Sequence, residues 1–364
     1  MKPRFLVPLV ALLVVGAFAY TVMSGKRPVL TAVTWAGAYG HAQASALFFP
    51  YAQQTRVDLR IAQYDGGLDE LRARVMSKRD GWDVIDLELP DAISACRAGL
   101  LEKIDAATLP AGAHGEPAAL DFVTNAIGPC WVGSVVYSQM IAYAPARYPA
   151  ARPSSLGDFF DLARYPGFRA MKSTSPKFNL ELALLADGVP PADIYKVLAS
   201  PTGVTRALAK LDTIRTSIVW TTRSTEGIAM LGDGRAAFAT ALNGDVFDAV
   251  QHGQRLGLIW DRQLYGLDVF ALPKGGPKRA MAMDFIRYAT AAPQLARVAE
   301  WVPYGPARRS ALGQVGSNPE TGLGMRPFLP TEPAHFATAF AVDDAWWQAH
   351  GGDIAPRWKA WVGR

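Results

Sequence analysis

Val29-Leu30-Thr31-Ala32-Val33-Thr34-Trp35 is apolar or β-branched almost from end to end and runs straight into Ala36-Gly37-Ala38-Tyr39-Gly40. Such a run, closed by a glycine-bearing break, reads as a buried strand. The residues that follow, to about Gln54, read as a helix. The pattern then repeats. Val57 to Ala62 is a second strand, broken by Tyr64-Asp65-Gly66-Gly67, and Leu68, Leu71 and Val75 recur at helical spacing on one face. Trp82-Asp83-Val84-Ile85-Asp86-Leu87 is a third strand, after which Pro90 opens a short helix through Cys96. Strand–helix alternation of this kind predicts an open α/β sheet.

Beyond it the character shifts. Residues 145–170 are rich in proline and glycine around Phe159-Phe160 and read as a connector. Helices are expected over Leu180–Leu185, after Pro190-Pro191, and over Val204–Leu211. Arg235 to Leu242 reads as a strand feeding Asn243-Gly244-Asp245 and a further helix. Leu256–Trp260 and Val269–Leu272 read as two short strands, and Lys278–Ala291 and Gln294–Trp301 as amphipathic helices. The tail from Phe328 carries Trp346, Trp347, Trp358 and Trp361. No internal repeat is present.

The opening residues set the compartment. Lys2 and Arg4 precede an apolar run, Phe5 to Ala19, ending Ala17-Phe18-Ala19. A basic start, an apolar stretch and a small-x-small ending form a secretory signal peptide, residues 1–19. The run is short of the roughly 20 residues that span a bilayer, and Pro8 interrupts it; an uncleaved membrane anchor is the alternative. Removing Lys2 and Arg4 from 37 basic residues, against 32 acidic ones, leaves an excess of three. That is no signature for nucleic acid, and Arg308-Arg309 is too short to make one. Half the residues are hydrophobic and 19% are charged, which suits a packed chain long enough for two cores. Cys96 and Cys130, an even count in an exported chain, favour one disulfide; two buried thiols are the other reading.

Catalytic signatures are absent: no GxSxG elbow, P-loop, GxGxxG or HExxH occurs. The five histidines are scattered, so neither a metal site nor a cofactor is read. Asp83 and Asp86, three apart on a strand, face opposite ways and form no carboxylate pair with each other. What stands out is aromatics and polar groups at strand ends, where open α/β sheets hold ligands. Trp35 ends the first strand and Tyr39 follows one helical turn on. Tyr265 and Asp268 lie beside another strand, and Asn243 and Asp245 close a third. Ring faces with carboxylates suit a cation; ordinary packing and turn roles are equally open from residue type alone.

Several stretches carry a resemblance when taken in order: Thr34-Trp35-Ala36-Gly37-Ala38-Tyr39, Tyr64-Asp65-Gly66-Gly67, Trp82-Asp83-Val84-Ile85-Asp86, Ala98-Gly99-Leu100-Leu101-Glu102-Lys103-Ile104-Asp105, Leu184 to Pro190, Asn243-Gly244, Leu264-Tyr265-Gly266-Leu267-Asp268, and Val302-Pro303-Tyr304-Gly305-Pro306. Together they resemble the spermidine/putrescine-binding family of ABC-transporter periplasmic solute-binding proteins, from Leu30 to about Leu312. The resemblance implies an α/β, type II periplasmic-binding-protein fold, in which two α/β lobes joined by two β-crossover hinges close on a ligand. It places lobe one at 28–141 and 267–312, lobe two at 142–266, the crossovers near Met140–Tyr143 and Gly266–Phe270, and 313–364 as a tail packed on the outside.

The implied role is non-enzymatic: a periplasmic monomer that captures a small solute and delivers it to an ABC permease in the inner membrane. Trp35 and Tyr39 match the family's first-lobe aromatics and Asp268 a carboxylate at the second crossover. Glu88, Ser173, Lys177, Asn243, Asp245 and Tyr265 complete the candidate ligand-binding set. The chain also departs from the pattern. Leu242 and Gly266 stand where tryptophans are expected, and Ser173, Ser175, Lys177 and Phe178 where carboxylates are expected. Lys177 would repel the second ammonium of a diamine. An amine-bearing, polyamine-like solute is therefore implied, with an amino acid or an organic anion held by Lys177 left open. An exported hydrolase or chemosensory module on the same fold is the alternative class, but the sequence offers no acid–base pair for hydrolysis.

The Ala17-Phe18-Ala19 ending sets the mature N-terminus at Tyr20. N-terminal sequencing of exported protein checks this, and an intact Met1 or Lys2 terminus would establish an anchor.

Overall fold

A computed structural model describes residues 27–77 and 81–364; the expected signal peptide lies outside the described residues. The strands are β1 (Val29–Trp35), β2 (Asp58–Tyr64), β3 (Val84–Glu88), β4 (Trp131–Tyr143), β5 (Arg169–Lys172), β6 (Ile218–Thr221), β7 (Phe238–Leu242), β8 (Gly257–Ala271), β9 (Gly305–Pro306) and β10 (Phe340–Ala341). They form one sheet in the order β2-β1-β3-β8-β4-β7-β5-β6, with β9 beside β4 and β10 beside β8. The flanks, β2-β1-β3 and β7-β5-β6, are parallel, as helical crossovers dictate. The middle, β3-β8-β4-β7, is antiparallel.

β4 and β8 are long because they belong to two cores. Val132, Val135 and Val136 of β4 are buried with one core, and Ile141 and Tyr143 with the other. On β8 the change falls between Leu264 and Tyr265. These paired strands are the two crossovers of a type II periplasmic-binding-protein fold. β8 was expected as two short strands; it is one strand of 15 residues. Polar Asp261-Arg262-Gln263 interrupts the apolar pattern, and Arg262 turns to φ 57° with a register shift against β4, yet pairing continues on both sides of it. The Arg262 N–H donates to Thr338 Oγ1 at 3.0 Å, and the Gln263 amide donates to the Pro330 and His335 carbonyls. Contacts from the tail thus supply what the local sequence lacks.

Two further differences have local causes. The connector 145–170 contains a helix, Leu156–Phe160, because Ser155 and Asp158 form a reciprocal capping box and Phe159 and Phe160 are buried. The tail, residues 313–364, does more than lie on the outside. Its helix Asp344–Val362 buries Trp347, Trp358 and Trp361 in the second core, while Gln348 Nε2 donates to the Pro90 carbonyl beside the first. The Trp358 indole donates to the Ser173 carbonyl at 2.6 Å, and Trp361 to Asp212 at 2.8 Å. Arg308 is not surface charge either: fully buried, it pairs with Asp121 at 2.9 Å.

Cys96 and Cys130 are bonded, joining the helix Leu89–Arg97 to the start of β4 across a separation of 34 residues. Closing a loop of that length stabilises the fold by ~3–4 kcal/mol in the chain-entropy account. The Cys96→Ser/Cys130→Ser variant should lose about that much in a urea-unfolding experiment, with the native fold retained by circular dichroism.

Candidate functional site

The first lobe builds its side of the cleft on the end of β1. The helix Gly37–Gln43 begins directly on that strand end: a Cβ on Gly40 would lie 1.9 Å from the Trp35 carbonyl oxygen, so only glycine allows the approach. This fixes Trp35 and Tyr39 above β3. The Trp35 indole donates to Asp86 Oδ1 at 3.0 Å, and the Tyr39 hydroxyl donates to Asp86 Oδ2 at 3.0 Å. Gln43, one turn further along the helix, donates to Asp86 Oδ2 at 2.5 Å while its own oxygen accepts from the Thr34 hydroxyl. Asp86 is thereby buried yet held by three donors, none of them cationic.

Register then brings further acids to the same place. In the antiparallel β3–β8 pair, Glu88 faces Asp268 and Asp86 faces Phe270. Opposed residues share a face, as do residues two apart, so Asp86, Glu88 and Asp268 stand on one side of the sheet. Asp268 is 6% exposed and its Oδ1 has no hydrogen-bond partner. No ion pair among the described residues reaches any of the three.

The rings close round them. Gly266 stands opposite Tyr137, and a Cβ there would lie 2.5 Å from the Tyr137 ring; the side chain absent from β8 makes room for the ring on β4. Gly244 likewise lies under Tyr304, whose ring meets that of Tyr39 edge-on at 5.5 Å. Trp35, Tyr39, Tyr137 and Tyr304, with Glu88, Asp268 and Leu242, line a cavity of about 310 Å³, within the range of small-molecule sites.

Of the residues expected from sequence, Trp35, Tyr39, Glu88 and Asp268 meet in this cavity. The others serve elsewhere. Tyr265 is on the opposite face of β8 from Asp268 and packs on Phe336. The Asn243 amide is taken up by the Ser138 N–H and the Pro303 carbonyl, 2.9 and 2.6 Å away. Asp245 sits at the start of the helix Asn243–Gln251, close enough for its charge to act on Tyr304. Ser173 donates to the Thr221 carbonyl at 3.1 Å. Lys177, expected as a free cation, is paired with Asp344 of the C-terminal helix, which neutralises it.

Asp86, Gln43, Ser134, Tyr137 and Tyr304 were not singled out from sequence. Asp86 was weighed only against Asp83, which instead accepts from the Thr31 N–H and Lys278; its relevant neighbour is 182 positions away on β8. Tyr304 lies in Val302–Pro306, a stretch that carries the family resemblance without marking Tyr304 itself.

Burial sets the electrostatics. It pushes Asp86 up to about 7, against the pull of its donors. Burial, then Asp86, then Glu88 push Asp268 well above the carboxylate range. Glu88 opens to the cleft and is raised by enclosure between the walls; Lys177 and Lys172 from the second lobe partly offset this. Burial raises Tyr39 and Tyr137 too, so both remain neutral donors.

A model of the bacterial extracellular solute-binding protein family matches residues 46–321. A gamma-aminobutyric acid-binding protein of Pseudomonas aeruginosa is 35% identical over 336 residues, 92% of this chain and 91% of its own. An ABC transporter substrate-binding protein from Bradyrhizobium japonicum superposes with a TM-score of 0.76 at 28% identity, covering 92% of this chain and all of the other. A solved GABA receptor gives 0.72 at 28% identity, over 91% and 97% of the two chains. The expected transport family is thus met at the level of solute-binding proteins, with no restriction to polyamines.

The raised carboxyls make a stability prediction. A carboxyl whose pKa rises on folding binds its proton more tightly in the native chain, so stability falls as pH rises from about 4 through the native value. Ligand-free protein should melt at a lower temperature at pH 8 than at pH 5. The Asp86→Asn/Asp268→Asn variant should show a flatter dependence; an unchanged slope in calorimetric scans would mean these carboxyls ionise as they do in water.

Proposed function

The chain belongs to the bacterial extracellular solute-binding protein family, whose members hand a small molecule to an ABC permease, and on that premise we propose that its ligand is a short amino acid with the ammonium and carboxylate at opposite ends, as in GABA. One observation carries the reading: three carboxylates on one face of β3–β8, with no basic partner, under the rings of Tyr39, Tyr137 and Tyr304. A cluster of that sign, with Asp86 and Asp268 buried and Glu88 open to the cleft, favours an ammonium group, which the ring faces also attract. The lobes, divided as 28–141 with 267–312 against 142–266, close over it by hinge bending.

The far end of the ligand meets the opposite sign. Lys172 and Lys177 of the second lobe act on the Glu88 carboxyl across the cleft, and Lys172 makes no ion pair among the described residues. A ligand carboxylate directed there gains Lys172 as a partner, whereas the second ammonium of a diamine meets that lysine's charge, Lys177 being already paired with Asp344. The similarity to GABA-binding relatives supports the same choice.

Isothermal calorimetry at pH 8 with GABA and putrescine tests this. GABA should bind and putrescine should be far weaker. Leaving a buried charge without its partner costs ~2–5 kcal/mol, so Asp268→Asn should weaken GABA at least about thirtyfold. Putrescine binding more tightly than GABA, or GABA affinity unmoved by Asp268→Asn, overturns the assignment.

A further inference from the structure

We propose that the ligand-free cleft keeps one proton between Asp86 and Asp268, and that the ligand's ammonium group displaces it on binding. The inference rests on the amine-ligand reading above for its second half only; the first half concerns the empty protein.

The geometry sets up the problem. Asp86 is fully buried and Asp268 nearly so, diagonal neighbours across an antiparallel pair, and two such side chains approach within roughly 7–8 Å. Two negative charges at that range in a site shielded from water oppose each other, and neither has a cation to offset it. Every element packed against them contributes a neutral group or another acid. β1 brings Trp35, the following helix Tyr39 and Gln43, and β4 Ser134 and Tyr137; β3 adds Glu88, and the segment before β9 adds Tyr304. The nearest cations, Lys172 and Lys177, act on Glu88 from the second lobe, and Lys177 is already paired with Asp344.

Asymmetric hydrogen bonding decides where the proton sits. Asp86 accepts from Trp35, Tyr39 and Gln43, all of which favour its ionised form. Asp268 Oδ1 accepts from nothing, so the proton resides on Asp268. Burial and the Asp86 charge act in the same direction. An arriving ammonium supplies the missing positive charge: the Asp268 O–H bond breaks, its proton leaves to solvent, and the carboxylate oxygen accepts from the ammonium N–H. The charge on the pair is balanced before and after, first by a proton and then by the ligand. Because binding releases a proton, affinity should weaken about tenfold for each unit that pH falls below the pair's upper titration.

Carbon-13 NMR of aspartate-labelled, ligand-free protein tests the first half. Two aspartate carboxyls should titrate above the ordinary range; the upper step should disappear in Asp268→Asn, and Asp86→Asn should lower it toward that range. If every aspartate titrates below about pH 5, the shared proton is refuted. Calorimetry with GABA in buffers of differing ionisation heat tests the second half, with about one proton released per ligand below the NMR midpoint and almost none in Asp268→Asn. GABA that binds without releasing a proton refutes the displacement. If the high-titrating carboxyl is present but GABA does not bind, the ligand assignment fails while the proton stands, and butylammonium becomes the probe. A resonance that millimolar butylammonium also leaves unmoved refutes the displacement.

Discussion

The antiparallel pairing of β3 with β8 puts Asp86, Glu88 and Asp268 on one face, and much of the cleft answers the cost of doing so. A carboxylate taken out of water without a hydrogen bond or counter-charge is among the least favourable groups a fold can contain. Asp86 is made tolerable by donors: the Trp35 indole, the Tyr39 hydroxyl and the Gln43 amide. Those donors are themselves held, Gln43 by Thr34 and Tyr39 by Ser134. The buried Oδ1 of Asp268 has no such support. The asymmetry separates a structural carboxylate, already satisfied, from one that keeps its capacity for a ligand.

Small residues are what let the rings meet the acids. Gly40 seats the helix on the Trp35 carbonyl, Gly266 admits Tyr137, and Gly244 admits Tyr304. Each aromatic is therefore opposed by an absence on a neighbouring element. The same logic relocates a wall. Where the polyamine-binder pattern leads one to expect a tryptophan on β8, this chain has Gly266, and a ring, Tyr137, comes from the facing strand. The cavity stays aromatic although the sequence position does not.

Much of the fold was legible because periodicity and punctuation are local. The run ending at Trp35, the breaks at Gly37 and Gly66-Gly67, and the alternation through Cys96 lead directly to β1, β2, β3 and their helices. What was not legible depends on partners far along the chain. The sequence reads β8 as two strands because the bonds that hold the irregular Arg262-Gln263 step, with Arg262 at φ 57°, come from residues 330–338. The site divides the same way. Trp35 and Tyr39 are readable from the strand end they occupy, and Asp268 from its motif. Asp86 gains its role only from β8, and Lys177 loses its expected one only because Asp344, 167 positions later, neutralises it.

That neutralisation ties the charge of the second lobe to the tail. A free Lys177 would give the second lobe two cations, Lys172 and Lys177, enough to favour a dianion over a monoanion. Pairing with Asp344 leaves Lys172 as the one of the two lysines without an ion pair among the described residues, which is what the proposed ligand with one positive and one negative end would require. Asp344 is positioned by the helix Asp344–Val362, whose Trp358 and Trp361 are buried in the second core and whose Gln348 reaches Pro90 beside the first. The segment that completes the second core thus also sets the charge of its cleft. On the proposed reading, ligand choice would depend on packing at the tryptophans of the tail as well as on the residues that line the cavity.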